Sequence, residues 1–112
     1  MTKYVLFFSY TSDTWARLMK SPGDRTAAVR KLAGSMGGTV ESIYWMFGPY
    51  DGFGVVEVPD SVTGAALSVA LTSTGAFKHA ETHELLSQQQ LGQALTKAAE
   101  SGPAYQPPGG QG

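Results

Sequence analysis

The chain has no cysteine among its 112 residues. That excludes disulfides, thiolate metal sites and thiol nucleophiles, and it fits a reducing cytoplasm. Charge is also scarce: 15% of residues are charged, against about a quarter in an ordinary soluble domain. So few charges on a small domain hint that a partner covers part of the surface. Lys and Arg number 8 and Asp and Glu 9, for a net charge of −1. The cations are scattered, so no basic stripe neutralises phosphates, and nucleic-acid binding is disfavoured. No apolar run approaches the ~20 residues that cross a bilayer. Val5-Leu6-Phe7-Phe8 is too short for the apolar core of a signal peptide. A phosphate loop, a nucleophile elbow and a dinucleotide fingerprint are all missing, and Gly34 to Gly38 reads as a helix end. These absences predict a cytoplasmic protein with neither a nucleic-acid nor a membrane partner.

What is present is a strong hairpin signal. Tyr44-Trp45-Met46-Phe47 and Phe53-Gly54-Val55-Val56-Glu57-Val58 flank Gly48-Pro49-Tyr50-Asp51-Gly52. Gly48 and Gly52 permit positive φ, and Pro49 pre-sets φ for a turn. Lys3 to Tyr10 alternates as a first strand with apolar residues on both faces, so both faces are expected to be covered. After a short polar segment, Ser12 to Met19, Ser21-Pro22-Gly23-Asp24 predicts a helix start with Ser21 as N-cap. Val29, Leu32, Ala33 and Met36 then form the apolar stripe, and Gly37-Gly38 ends the helix. Strand two is expected over Thr39 to Phe47 and strand three over Phe53 to Val58. A second helix follows from Asp60 or Ser61 to about Thr74, with Leu67, Ala70 and Leu71 on its face. Strand four spans Phe77 to Leu86. Ser87 and Gln90 predict a capping box, and Leu91, Ala94, Leu95 and Ala98 recur at helical spacing behind it.

The order β-α-β-β-α-β-α predicts an α+β, ferredoxin-like βαββαβ(α) domain: a four-stranded antiparallel sheet with helices on one face. The uncovered apolar face calls for a second copy packed sheet against sheet, a homodimer closing into a dimeric α/β barrel. The domain is assigned to residues 1–100. Residues 101–112, rich in Gly and Pro, read as a disordered tail because they cannot bury enough apolar surface to offset ordering.

From about Lys3 to Leu91 the chain resembles the GYD domain family. The likeness rests on Tyr4-Val5, Ser21-Pro22, Gly37-Gly38, Tyr44-Trp45, Gly48-Pro49-Tyr50-Asp51, Val55 to Asp60 and Ala80-Glu81-Thr82. It implies kinship with the dimeric α/β barrels, which include cofactor-independent oxygenases, isomerases, haem-binding members and ligand-binding regulators. It also implies a pocket between sheet and helices. Gly52-Phe53-Gly54 departs from the expected apolar run and suggests a bulge or a close ligand approach.

Asp51 has two readings. As a general base or ligand contact it works with Tyr50 beside it as a donor; as a turn residue it bonds its own backbone. His79, Glu81 and His83 alternate along strand four and share a face. Imidazole and carboxylate are legitimate metal ligands. Yet residues i and i+4 of a strand lie about 13 Å apart, too far for both histidines to hold one ion. No metal is therefore assigned. The catalytic candidates are Asp51, Tyr50 and His79. The ligand-binding candidates are Trp45, Tyr44, Phe53, Tyr10, Trp15 and His83. The aromatics are either core and interface packing or the wall of a pocket for a flat apolar ligand. The expected function is small-molecule binding by a dimeric barrel, extending to cofactor-independent chemistry on an aromatic or polyketide-like substrate, with no cofactor. The alternatives are a non-enzymatic dimeric assembly module and, more weakly, a metal- or haem-binding protein.

Overall fold

The computed structural model describes residues 1–110. Its elements are β1 (Thr2–Tyr10), α1 (Ser12–Lys20), α2 (Arg25–Ser35), β2 (Thr39–Trp45), β3 (Gly52–Val58), α3 (Ser61–Thr72), β4 (Phe77–Leu85), α4 (Gln88–Ser101) and a 3-10 turn, Gly102–Ala104. The strands pair antiparallel in the order β2-β3-β1-β4, which is the ferredoxin-like arrangement expected from the element order.

The core lies between the sheet and helices α2 and α3. Tyr4 and Leu6 of β1, Val56 and Val58 of β3, and Leu67 of α3 form its buried centre, with Leu32, Met36, Val40 and Leu71 packed around them. Burying one such leucine is worth roughly 1.5–3 kcal/mol. Helix α3 lies close to the sheet because Gly64 has no Cβ; an added one would sit 2.6 Å from Tyr4 Cε2. Asp60 caps α3, accepting from the backbone N–H of Thr63 at 2.8 Å and from its hydroxyl at 2.7 Å. The backbone bond first, then the hydroxyl, holds its carboxyl below the usual aspartate range.

Helix α2 starts later than the Ser21-Pro22 signal suggests. Asp24, not Ser21, is its N-cap and accepts from Ala27 N–H, while Ser21 closes α1. Asp24 wins because α1 runs a full nine residues and consumes Ser21 as its C-cap. Strand β2 stops at Trp45, and Phe47 is exposed in the loop beyond it.

Two bulges change which residues face the helices. In β2, Val40 pairs with Val56 and Ser42 with Val55, so Glu41 is the extra residue. Val40, Ile43 and Trp45 thereby share the helix side, where unbroken alternation would separate Val40 from the other two. In β4, Tyr10 pairs with Phe77 and Ser9 with His79, so Lys78 is extra. This turns Phe77 toward the helices. The bulges fall in β2 and β4 rather than at Gly52 and Gly54. Gly52 instead leaves space for Phe8, whose Cζ would lie 2.4 Å from an added Cβ.

Helix α4 begins with the capping box: Ser87 Oγ accepts from Gln90 N–H at 3.1 Å, and Gln90 Oε1 accepts from Ser87 N–H at 2.9 Å. All of its residues are exposed, including Leu91 and Leu95. It extends the molecule to 61 Å with a radius of gyration of 18.2 Å, against about 13 Å for a compact domain of this length. The tail from Tyr105 to Gly110 is also exposed, and the last two residues of the tail assignment lie outside the described residues. No helix among the described residues is long and apolar enough to cross a membrane.

Candidate functional site

The candidate residues separate into three places. The first is a cavity of about 410 Å³ between the sheet and helices α1, α2 and α3. Leu6, Ile43, Val56, Leu67 and Leu71 give it an aliphatic floor and wall. Phe8, Tyr10, Trp45 and Phe77 give it an aromatic end. Tyr10 stacks on Phe77 with ring centroids 5.4 Å apart and an interplanar angle of 22°, and Phe8 meets both rings. Tyr10 Oη accepts from Trp45 Nε1 at 3.3 Å, which leaves the phenol proton for another acceptor. Helix α1 is fixed at the cavity rim by Thr14, whose hydroxyl donates to Ala76 O at 2.8 Å. Arg17 and Arg25 complete the rim.

The second place is the Asp51 latch. Asp51 Oδ2 accepts from the Tyr10 backbone N–H at 2.8 Å and from Trp15 Nε1 at 3.3 Å. Its backbone N–H donates to Phe8 O at 2.8 Å. Ser9 Oγ donates to Pro49 O at 2.9 Å in the same seam. One carboxylate thus ties the β2–β3 loop to the end of β1 and to α1. Trp15 packs edge-on against Tyr10, with centroids 5.0 Å apart, and is not among the cavity-lining residues.

The third place is the sheet face away from the helices. Glu81 accepts from Tyr50 Oη, from His79 Nε2 at 3.0 Å and from His83 Nε2 at 3.0 Å, one histidine on each carboxylate oxygen. The Tyr50 bond first, then the two histidine bonds, lowers the Glu81 pKa from 4.5 to about 2. The same bond raises that of Tyr50. Phe7 stands beside Tyr50, Phe53 and His83, and Tyr44 packs on Phe53. At the far end of this face Lys3 bridges Glu41 at 2.8 Å and Glu57 at 3.6 Å. Among the described residues no three His, Asp or Glu side chains gather in a geometry that would hold a metal ion.

Residues 4–95 match the GYD domain family. The chain belongs to that family. No curated protein matches significantly. Among solved structures, one described as "crystal structure of FFRP-DM1" is similar, at 14% identity and a TM-score of 0.51, covering 77% of this chain and 100% of that one. At that identity the likeness is one of fold.

The residues of the GYD turn point in different directions. Tyr50 reaches the open face and Asp51 reaches the β1–α1 corner, so neighbours in sequence enter separate clusters. Tyr10 and Trp45 meet in the cavity, whereas Tyr44, Phe53, His79 and His83 stand on the opposite side of the sheet. Phe8, Phe77, Arg17 and Arg25 were not singled out as site residues. The pairing of Phe8 and Phe77 depends on the β4 bulge, for which the sequence carries no signal. The two arginines flank the α1–α2 junction, and only the start of α2 at Arg25 brings both to one rim.

Proposed function

We propose that this GYD domain is a homodimeric small-molecule-binding protein. Its ligand occupies the cavity between sheet and helices, and its second copy covers the open sheet face. The single observation behind the binding reading is the cavity itself. Its volume of about 410 Å³ falls within the range of small-molecule sites, and its walls are mainly apolar with a few polar groups among them. Binding is favoured over turnover because the acid–base groups lie elsewhere. The Asp51 carboxylate already accepts two N–H donors, and the Glu81 cluster sits across the sheet. Native mass spectrometry of protein purified without denaturation tests this: a retained mass of drug-like size is expected, and empty protein with no stabilisation by any member of a diverse small-molecule panel would refute it.

The dimer reading rests on Val5, Phe7, Phe53, Val55 and Leu85, half-buried apolar side chains that share the face no helix covers. Phe7→Lys would place a charge among them, and burying an unpaired charge is costly. The parent should sediment as a dimer at micromolar concentration and the variant as monomer or aggregate; a monomeric parent would refute the reading. The assembly-module alternative draws on the exposed leucines of α4, which offer a second apolar surface.

A further inference from the structure

We infer that the cavity is built for an anionic amphiphile: a molecule with a flat aromatic body and a single carboxylate or comparable anion at one end. This rests on the binding reading above and adds the chemistry of the ligand.

The charge inventory of the cavity carries the argument. Arg17 and Arg25 line it, and none of its lining residues is an aspartate or glutamate. The described residues form ion pairs around Lys3 and around Glu81, and neither arginine takes part in one. A chain of net charge −1 has thus placed two guanidiniums beside an apolar chamber, neither of them in an ion pair and with no acid among the lining residues. Arg17 does have a neighbour, since it donates to Thr14 Oγ1 at 3.3 Å. That hydroxyl is in turn fixed by its bond to Ala76 O. The contact orients the guanidinium at the rim while leaving its other N–H groups to an incoming acceptor. A guanidinium presents paired donors whose spacing matches a carboxylate.

The aromatic end sets the shape of the other half of the ligand. Phe8, Tyr10 and Phe77 form one contiguous cluster, and Trp45 leans over it through its bond to Tyr10 Oη. A planar ring can pack face or edge against such a wall. The free phenol proton of Tyr10 offers one directed hydrogen bond to an oxygen on that ring or beside it. A neutral hydrocarbon would leave the arginines and this phenol unused, and a cation would meet two like charges.

The probe is 2-naphthoate, set against its methyl ester, which keeps the ring and loses the charge. Trp45 lies at the cavity, so quenching of tryptophan fluorescence reports occupancy, with calorimetry as an independent readout. The acid is expected to bind about fivefold or more tightly than the ester, the size of a charge-assisted contact at a partly solvated rim. Added salt should narrow that gap, because exposed charges are screened. In the Arg17→Gln/Arg25→Gln double variant the two affinities should converge, because the acid loses more than the ester. Lysine at both positions should restore part of the preference. Equal binding of acid and ester to the parent overturns the anion inference while the cavity reading stands. Binding of neither, in a folded protein, overturns both. A preference for the acid that survives in the double variant would also refute the assignment, by placing the anion somewhere other than the arginine rim.

Discussion

Replacing Asp51 with alanine removes the acceptor of two long-range bonds, those from the Tyr10 backbone and the Trp15 indole. Tyr10 is only 7% exposed, so its N–H has little water to turn to. An unpaired buried donor costs roughly 1–3 kcal/mol. The longer Trp15 bond adds about 0.5–1 kcal/mol, as a typical net hydrogen bond does. The sum is about 1.5–4 kcal/mol, which at roughly 4 °C per kcal/mol for a domain of this size lowers Tm by about 6–16 °C. Asp51→Asn keeps one acceptor oxygen and loses the charge, so it should cost only about 1 kcal/mol. Differential scanning calorimetry of both variants checks the order. An alanine variant within about 2 °C of the parent would refute the latch, since that is less than the smallest cost of one stranded donor. An asparagine variant of parental stability that lost the binding of a small molecule the parent binds would move Asp51 from architecture to recognition.

Three further outcomes are expected. Glu81 titrates near 2 in the folded chain against an ordinary 4.5, so its contribution is fully present above pH 4.5 and lost as pH falls through about 2. Glu81→Gln should therefore flatten the stability profile across that window, and an unchanged acid limb in a denaturant titration would refute it. Gly64→Ala gains about 1 kcal/mol of helix propensity. It also drives a methyl to within 2.6 Å of the buried Tyr4 ring. Overpacking of that kind costs typically 1–3 kcal/mol, so Tm should fall, and a rise would show that Tyr4 moves aside. Truncation after Ser101 removes Gly102 to Gly110, all exposed, with the two residues beyond them, so it should leave Tm within about 3 °C, whereas loss of a docked segment would cost more.

The fold was legible because its signals were local and agreed with one another. Alternation in β1, the stripe of Val29, Leu32, Ala33 and Met36, and the Ser87–Gln90 box each correspond to an element that forms. What escaped was set by pairing across strands. The bulges at Glu41 and Lys78 exist because β3 and β1 impose their own registers, and they decide that Ile43 and Phe77 face the helices. Asp51 was legible as a turn residue with a second role open; its partners, Tyr10 and Trp15, lie 41 and 36 positions away, beyond the reach of any turn rule. The Met19 side chain is exposed because α1 packs at the rim of the sheet rather than across it.

Helix α4 has a thermodynamic consequence. Its 14 residues stand clear of the body, and isolated helices shorter than about 12–15 residues are marginal in water. The capping box steadies its first turn, but Gly92 and Thr96 weaken the turns that follow. Its helical content therefore depends on whatever its leucines rest against. Where that support is another molecule, coil-to-helix conversion and association become one equilibrium, governed by protein concentration. Dilution would then unwind the C-terminal segment while the sheet stays intact. Amide exchange in α4 would rise long before that of β1, and a protease added to dilute protein would cut there first.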